Sequence, residues 1–134
     1  MAKIKLHFPE ITERIQKTQF PEVDLIVGIA SGGVVPASLV AFHLGKPLDI
    51  IAINYRDEDN NPRYDVPRLL AKIDEPLAGK HILLVDDVSV SGKTLEAAKK
   101  WLDGCEVTTF VLKGQADISA FPEVATCVAW PWKI

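Results

Sequence analysis

Residues 82–94 read Ile82-Leu83-Leu84-Val85-Asp86-Asp87-Val88-Ser89-Val90-Ser91-Gly92-Lys93-Thr94. A run of four apolar residues ends in two adjacent carboxylates. A stretch of small residues follows and opens a helical pattern that runs from Ser91 to Leu102. This is how a buried parallel strand reads when it feeds a tight loop and a helix. Backbone N–H groups at a helix N-terminus attract an anion. Gly92 lets the backbone come close to it, and Ser91 and Thr94 add hydroxyl donors, so a phosphate fits the loop. Asp86 and Asp87 would repel that phosphate and need another task. Carboxylates bond sugar hydroxyls and recruit Mg²⁺. A phosphorylated sugar presents both a phosphate and hydroxyls. The triplet Gly92-Lys93-Thr94 by itself would suit the P-loop of a nucleotide triphosphatase. That motif needs a glycine five residues before Gly92, and Asp87 stands there. An Asp-Asp pair alone is an ordinary strand-end cap; joined to this loop and this apolar run, it reads as a site.

Outward from this stretch the pattern alternates. Pro9 to Gln19 carries Ile11 and Ile15 four apart among charged residues, which predicts a short amphipathic helix. Val23 to Ala30 is a nearly continuous apolar run between Pro21 and Ser31-Gly32-Gly33, which predicts a buried strand. Val34 to Leu44 is apolar at helical spacing and stops at Gly45, and Leu48 to Asn54 predicts a second strand. His81 to Asp86, Glu106 to Leu112 and Val124 to Ala129 predict three more. Strands alternating with helices make βαβ units and a mostly parallel sheet with helices on both faces. Ligands of such sheets bind beyond the carboxyl ends of the strands. Ser31-Gly32-Gly33, Asp86 through Thr94, and Lys113-Gly114 fall at those ends. Residues 54–68 break the alternation: they are polar and hold both tyrosines and three of the four arginines.

The chain has 134 residues, with 48% hydrophobic and 25% charged side chains, which is ordinary for one globular domain and excludes disorder, collagen and coiled coil. The formal charge of −3 argues against a dedicated nucleic-acid binder. Cys105 and Cys127 form no CxxC pair and have no histidine cluster beside them, so they are expected as two buried reduced thiols in strands. No signal peptide and no apolar run of membrane-spanning length is visible, and a cytoplasmic protein is expected.

Residues 82–94 resemble the phosphoribosyl pyrophosphate (PRPP) motif of type I phosphoribosyltransferases, and supporting features extend over most of residues 23–132. The resemblance implies a Rossmann-like α/β core with a reduced hood over residues 1–134. It implies that Asp86 and Asp87 engage the ribose hydroxyls, Asp87 through Mg²⁺, and that Val90, Ser91, Gly92, Lys93 and Thr94 hold the 5′-phosphate. Ser31, Gly32 and Gly33 are similar to the family's pyrophosphate loop, although family members often carry Arg or Lys where this chain has Ser31. The 54–68 segment suits a flap that includes Tyr55, Arg56, Arg63 and Tyr64, with Arg56, Arg63 and Arg68 expected to complement a pyrophosphate leaving group. Lys113 resembles the lysine that reads the exocyclic oxygen of 6-oxopurines. The ending Trp130-Pro131-Trp132 resembles the xanthine-guanine branch.

Two departures concern the base. Guanine-type enzymes carry an aspartate where this chain has Val90. The base-stacking aromatic of the family falls on Cys127. The expected function is transfer of ribose 5-phosphate from PRPP to a purine-like nitrogenous base, with Mg²⁺, in a homodimer. The alternative is a module of the same fold that senses PRPP or a nucleotide.

Overall fold

The computed structural model describes residues 3–54, 68–71 and 76–133. Along the chain it holds β1 (Ile4–Lys5), α1 (Phe8–Lys17), β2 (Leu25–Ala30), α2 (Val34–Leu44), β3 (Leu48–Asn54), β4 (Arg68–Ala71), β5 (His81–Ser89), α3 (Lys93–Trp101), β6 (Glu106–Gly114), β7 (Ile118–Ser119) and β8 (Val128–Ala129). The main sheet has the order β4-β3-β2-β5-β6-β7. Among the described strands of this sheet only β4 runs antiparallel, against β3. The fold is the expected mostly parallel α/β sandwich.

The apolar strand runs split with a period of two, so each strand feeds both faces. Ile26 on β2, Leu83 and Val85 on β5, and Phe110 and Leu112 on β6 pack with α1 and α2 through Ile11, Ile15, Ala37 and Val40. Leu25, Val27 and Ile29, with Ile82, Leu84 and Val111, pack under α3 against Leu95, Ala98 and Leu102. Helix α1 starts where Glu10 Oε1 accepts the His7 N–H at 3.1 Å, and α2 ends at Gly45 in the left-handed conformation. Gly28 lets α2 lie on β2, since a Cβ there would stand 2.7 Å from the Ala37 Cβ.

Going outward from β2 the chain crosses to β3, and from β5 it crosses to β6, in opposite directions. The gap between β2 and β5 is therefore the topological switch point, where α/β sheets open a crevice. Strand β5 continues to Ser89, past its last pair with β2 at Val85–Gly28, and its end is paired on the β6 side alone. Asp86 and Asp87 sit on that extension.

Three expectations change. The predicted strand Val124–Ala129 shrinks to Val128–Ala129, which leaves the main sheet and pairs parallel with β1. The sixth strand of the main sheet is instead β7, docked on β6. Asp117 pins it there: its carboxylate accepts from the Thr109 N–H at 2.9 Å and from the Thr109 hydroxyl at 3.1 Å. The cysteines are neither buried nor in strands: Cys105 is half-buried just before β6 and Cys127 is exposed just before β8.

Candidate functional site

The extension of β5 holds two carboxylates that are both 8% exposed. Asp86 Oδ1 accepts the Asp87 N–H at 2.8 Å, and Asp87 Oδ1 accepts the Val88 N–H at 2.8 Å. Burial, and then the neighbouring charge of Asp87, push the Asp86 carboxyl well above its usual range, with Lys133 opposing. Asp86 is thus biased toward its neutral form. Lys133 Nζ lies 3.2 Å from Asp87 Oδ2.

Gly32 meets the same carboxylate from the β2 side. A Cβ at Gly32 would stand 2.6 Å from Asp87 Oδ2 and 2.7 Å from its Oδ1. Gly33 is wedged still deeper: a Cβ there would meet the carbonyl oxygens of Val85 and Ile29 at 2.6 and 2.7 Å. At Gly33 a residue of any other type would force the loop off the strand ends, and at Gly32 it would displace the Asp87 carboxylate. The loop after β2 and the acids after Val85 are in direct contact, as their places in the sequence implied.

On the open side, a cleft of about 580 Å³ runs from the acids across Val90, Ser91, Gly92, Lys93 and Thr94 to Lys113, Cys127 and Trp130. Gly92 takes φ +80, and α3 starts at Lys93 directly after it. This left-handed turn sets the first residues of α3 on the cleft wall, and helix N-terminal amides can receive an anion. Ser91 Oγ accepts the Lys93 N–H at 3.3 Å and steadies the turn. The cleft thus brings together the predicted Asp86, Asp87, Val90 through Thr94 and Lys113. The Ser31–Gly33 loop joins through Gly32 and does not line the open wall. Tyr55, Arg56, Arg63 and Tyr64 lie outside the described residues, as does the Arg68 side chain.

The tryptophans do not face the cleft as free stacking surfaces. Trp130 is buried, and its ring lies parallel to that of Trp132 at 5.3 Å, while Trp132 also meets Phe8 at 5.9 Å. Three further polar residues line the cleft without a role read from the sequence. Lys3 and Lys133 arrive from segments far apart in the chain, carried by the β1–β8 pairing. Ser89 carries a buried hydroxyl that has no partner among the described residues.

The donor set fits Mg²⁺. That ion is usually held by one or two carboxylates plus substrate phosphates and keeps several waters. Asp86 and Asp87 provide such a pair. Among the described residues no group of three or more histidine, cysteine or acidic side chains could form a closed cage. No helix among the described residues is long and apolar enough to cross a membrane.

A left-handed turn at a helix start, two acids and a glycine loop meet at the switch point of a parallel sheet. The profile of the phosphoribosyl transferase domain matches residues 3–130. This chain is a phosphoribosyltransferase-family protein. It is 33% identical over 88 residues to the orotate phosphoribosyltransferase of Sulfurisphaera tokodaii, covering 66% of this chain and 40% of the relative. It is 30% identical over 106 residues to the transcriptional regulator GfcR of Methanothrix thermoacetophila, covering 78% of this chain and 50% of the regulator. Its fold superposes on the purine phosphoribosyltransferase of Pyrococcus horikoshii with a TM-score of 0.77 at 25% identity, covering 100% of this chain and 96% of that one. The chain spans half or less of the length of these two curated relatives, whereas it matches the Pyrococcus protein almost end to end.

Proposed function

We propose that the cleft binds PRPP with Mg²⁺ and transfers its ribose 5-phosphate group to a nitrogenous base, purine-like in type. The observation that carries this reading is the contact of Gly32 with Asp87 beneath an anion-binding turn. Read as a diphosphate loop, a hydroxyl-binding acid pair and a monophosphate loop, the three segments follow the order in which PRPP carries those groups, which supports the reading.

Amides of Ser91 through Thr94 and their hydroxyls hold the 5′-phosphate at the α3 N-terminus. Asp86 and Asp87 accept hydrogen bonds from the ribose hydroxyls, which fixes the sugar for reaction at C1. Amides of Ser31 through Gly33 face the pyrophosphate. The C1–O bond to pyrophosphate breaks with its electron pair going to the leaving oxygen, and a ring nitrogen of the base forms the new C1–N bond and gives up its proton. Mg²⁺, when bound, supplies charge to the leaving pyrophosphate. Around the cationic sugar, the two carboxylates stabilise developing positive charge without moving. Lys113, on the far wall, donates a hydrogen bond to an acceptor atom of the base. Val90 lines the same wall and cannot take the base proton, so that proton leaves to solvent. A cytoplasmic homodimer is the expected context.

A second reading is a sensor that binds PRPP or a nucleotide without turning it over. It is supported by Val90, since the described cleft wall holds no acid besides Asp86 and Asp87, and by the regulator among the relatives. Pyrophosphate release from PRPP with Mg²⁺ and each of guanine, hypoxanthine, xanthine, adenine, uracil and orotate separates the two. Release that depends on one base supports the transferase. PRPP binding without release on any base moves the assignment to the sensor.

A further inference from the structure

The Ser31-Gly32-Gly33 loop carries no cationic side chain of its own. A diphosphate held by these backbone amides would draw no full positive charge from the loop itself. Lys133 stands where such a charge would serve. Its ammonium is 3.2 Å from Asp87 Oδ2, and the same oxygen is 2.6 Å from the Cβ position of Gly32. One carboxylate thus separates the lysine from the loop. The Lys133 side chain is 59% exposed while that of Asp87 is 12% exposed, so the lysine approaches from the open cleft and the acid from the floor.

The segment that carries Lys133 is well anchored. Its N–H donates to the Trp130 carbonyl at 3.2 Å, Trp130 is buried, and the Trp130–Trp132 stack holds the intervening turn. The four-carbon stem is then the moving part. With Lys133 mostly in water, its pairing with Asp87 contributes little, about 0–1 kcal/mol, and is readily exchanged for a better partner.

We propose that Lys133 is a diphosphate-binding residue of this site, held on Asp87 in the free protein and handed to the pyrophosphate group when PRPP binds. Two requirements are met by one exchange. Asp87 is released to accept ribose hydroxyls, and the pyrophosphate gains a cation that its own loop lacks. The ligand class is a sugar diphosphate or free pyrophosphate, rather than a monophosphate. This inference rests on the proposed transferase reading of the cleft.

The test uses calorimetric titration of the intact chain with Mg²⁺ and three probes: PRPP, inorganic pyrophosphate and ribose 5-phosphate. A charge-assisted hydrogen bond is worth about 1.5–3 kcal/mol. Lys133→Gln is therefore expected to weaken PRPP and pyrophosphate by about tenfold or more. Ribose 5-phosphate binding should not weaken, because its phosphate sits on the α3 turn and Asp87 loses only a weak partner. Lys133→Arg should restore diphosphate binding to within a few-fold, which a purely structural role would not predict. Equal or tighter PRPP binding by Lys133→Gln overturns the inference. So does an equal loss for ribose 5-phosphate, which would mark general attraction of anions. Wild-type protein that binds neither PRPP nor ribose 5-phosphate overturns the transferase reading and this inference together. Normal wild-type binding with an indifferent Lys133→Gln overturns this inference alone.

Discussion

Replacing Gly32 by alanine adds one methyl group against the carboxylate of Asp87. The new Cβ would lie 2.6–2.7 Å from all three atoms of that carboxylate, where ordinary contact begins near 3.4 Å. The carboxylate must therefore retreat by close to 1 Å, and it has the cleft to retreat into. Its bond from the Val88 N–H, 2.8 Å long, stretches or breaks, which costs about 1 kcal/mol of fold stability. The ligand feels much more. A displacement of about 1 Å in a positioning group costs about 10²-fold in rate, so turnover of PRPP should fall by that factor and its binding should weaken, while the melting temperature drops by only a few degrees. Gly33→Ala is the contrasting control. Its Cβ would strike the Val85 and Ile29 backbone carbonyls, which cannot step aside, so the fold itself should be lost. Thermal denaturation and calorimetric titration with Mg²⁺ and PRPP read stability and binding, and pyrophosphate release reads turnover. A Gly32→Ala protein that binds PRPP like the wild type refutes the placement of Asp87 against the ribose.

Asp86→Asn should raise the stability of the free protein at neutral pH by about 1 kcal/mol, as expected when a site strained for function is relaxed. The sign follows from linkage: the folded Asp86 keeps its proton above the usual value of 3.8, the unfolded chain releases it, and wild-type stability falls as pH rises through that window. Melting curves of both proteins from pH 4 to 8 should diverge with rising pH; parallel curves would contradict the burial argument. Val90 is 76% exposed, so Val90→Asp should leave folding unchanged. If the acceptor is a 6-oxopurine, initial rates should rise by up to about 10²–10⁴, and a fall on every base would exclude that class. Arg14 donates to the Ala120 carbonyl at 2.6 Å and to both oxygens of Glu123, and it lies 4.2 Å from the centre of the Phe121 ring. Arg14→Ala should cost about 1 kcal/mol, discounted because the pair is partly in water. The Arg14 hydrogen bond holds the Glu123 carboxyl down to about 2 from 4.5. The wild-type advantage is therefore full above the ordinary carboxylate range and shrinks as pH falls toward 2, which acid titration of the melting temperature checks.

The sheet was readable from the sequence because its strands are buried on both faces. Leu48–Asn54 and the helix Val34–Leu44 emerge with the bounds read from the residues, since apolar runs stopped by glycine or by polar residues leave little choice. The turn between β5 and α3 was readable because Gly92 and the acid pair stand at fixed spacing after an apolar run. The two-residue strands β1, β7 and β8 were not readable, because two residues show no periodicity and are placed by tertiary contacts. The stretch Val124–Ala129 has strand-like residues, yet only Val128 and Ala129 find a partner, on β1. Lys133 was invisible for the same reason. Nothing local marks a lysine after Pro131-Trp132 as the neighbour of Asp87, 46 positions earlier; the aromatic stack and the β1–β8 pairing bring it there.

The most direct test of a PRPP site is the thermal stability of the wild-type chain with Mg²⁺ and increasing PRPP. A ligand at one hundred times its dissociation constant stabilises a protein by about 2.7 kcal/mol. For a domain of this size that is a rise of several degrees in Tm. The account predicts this rise with PRPP, and its loss in Asp87→Asn. An unchanged Tm with PRPP, with pyrophosphate and with every nucleoside monophosphate would contradict it.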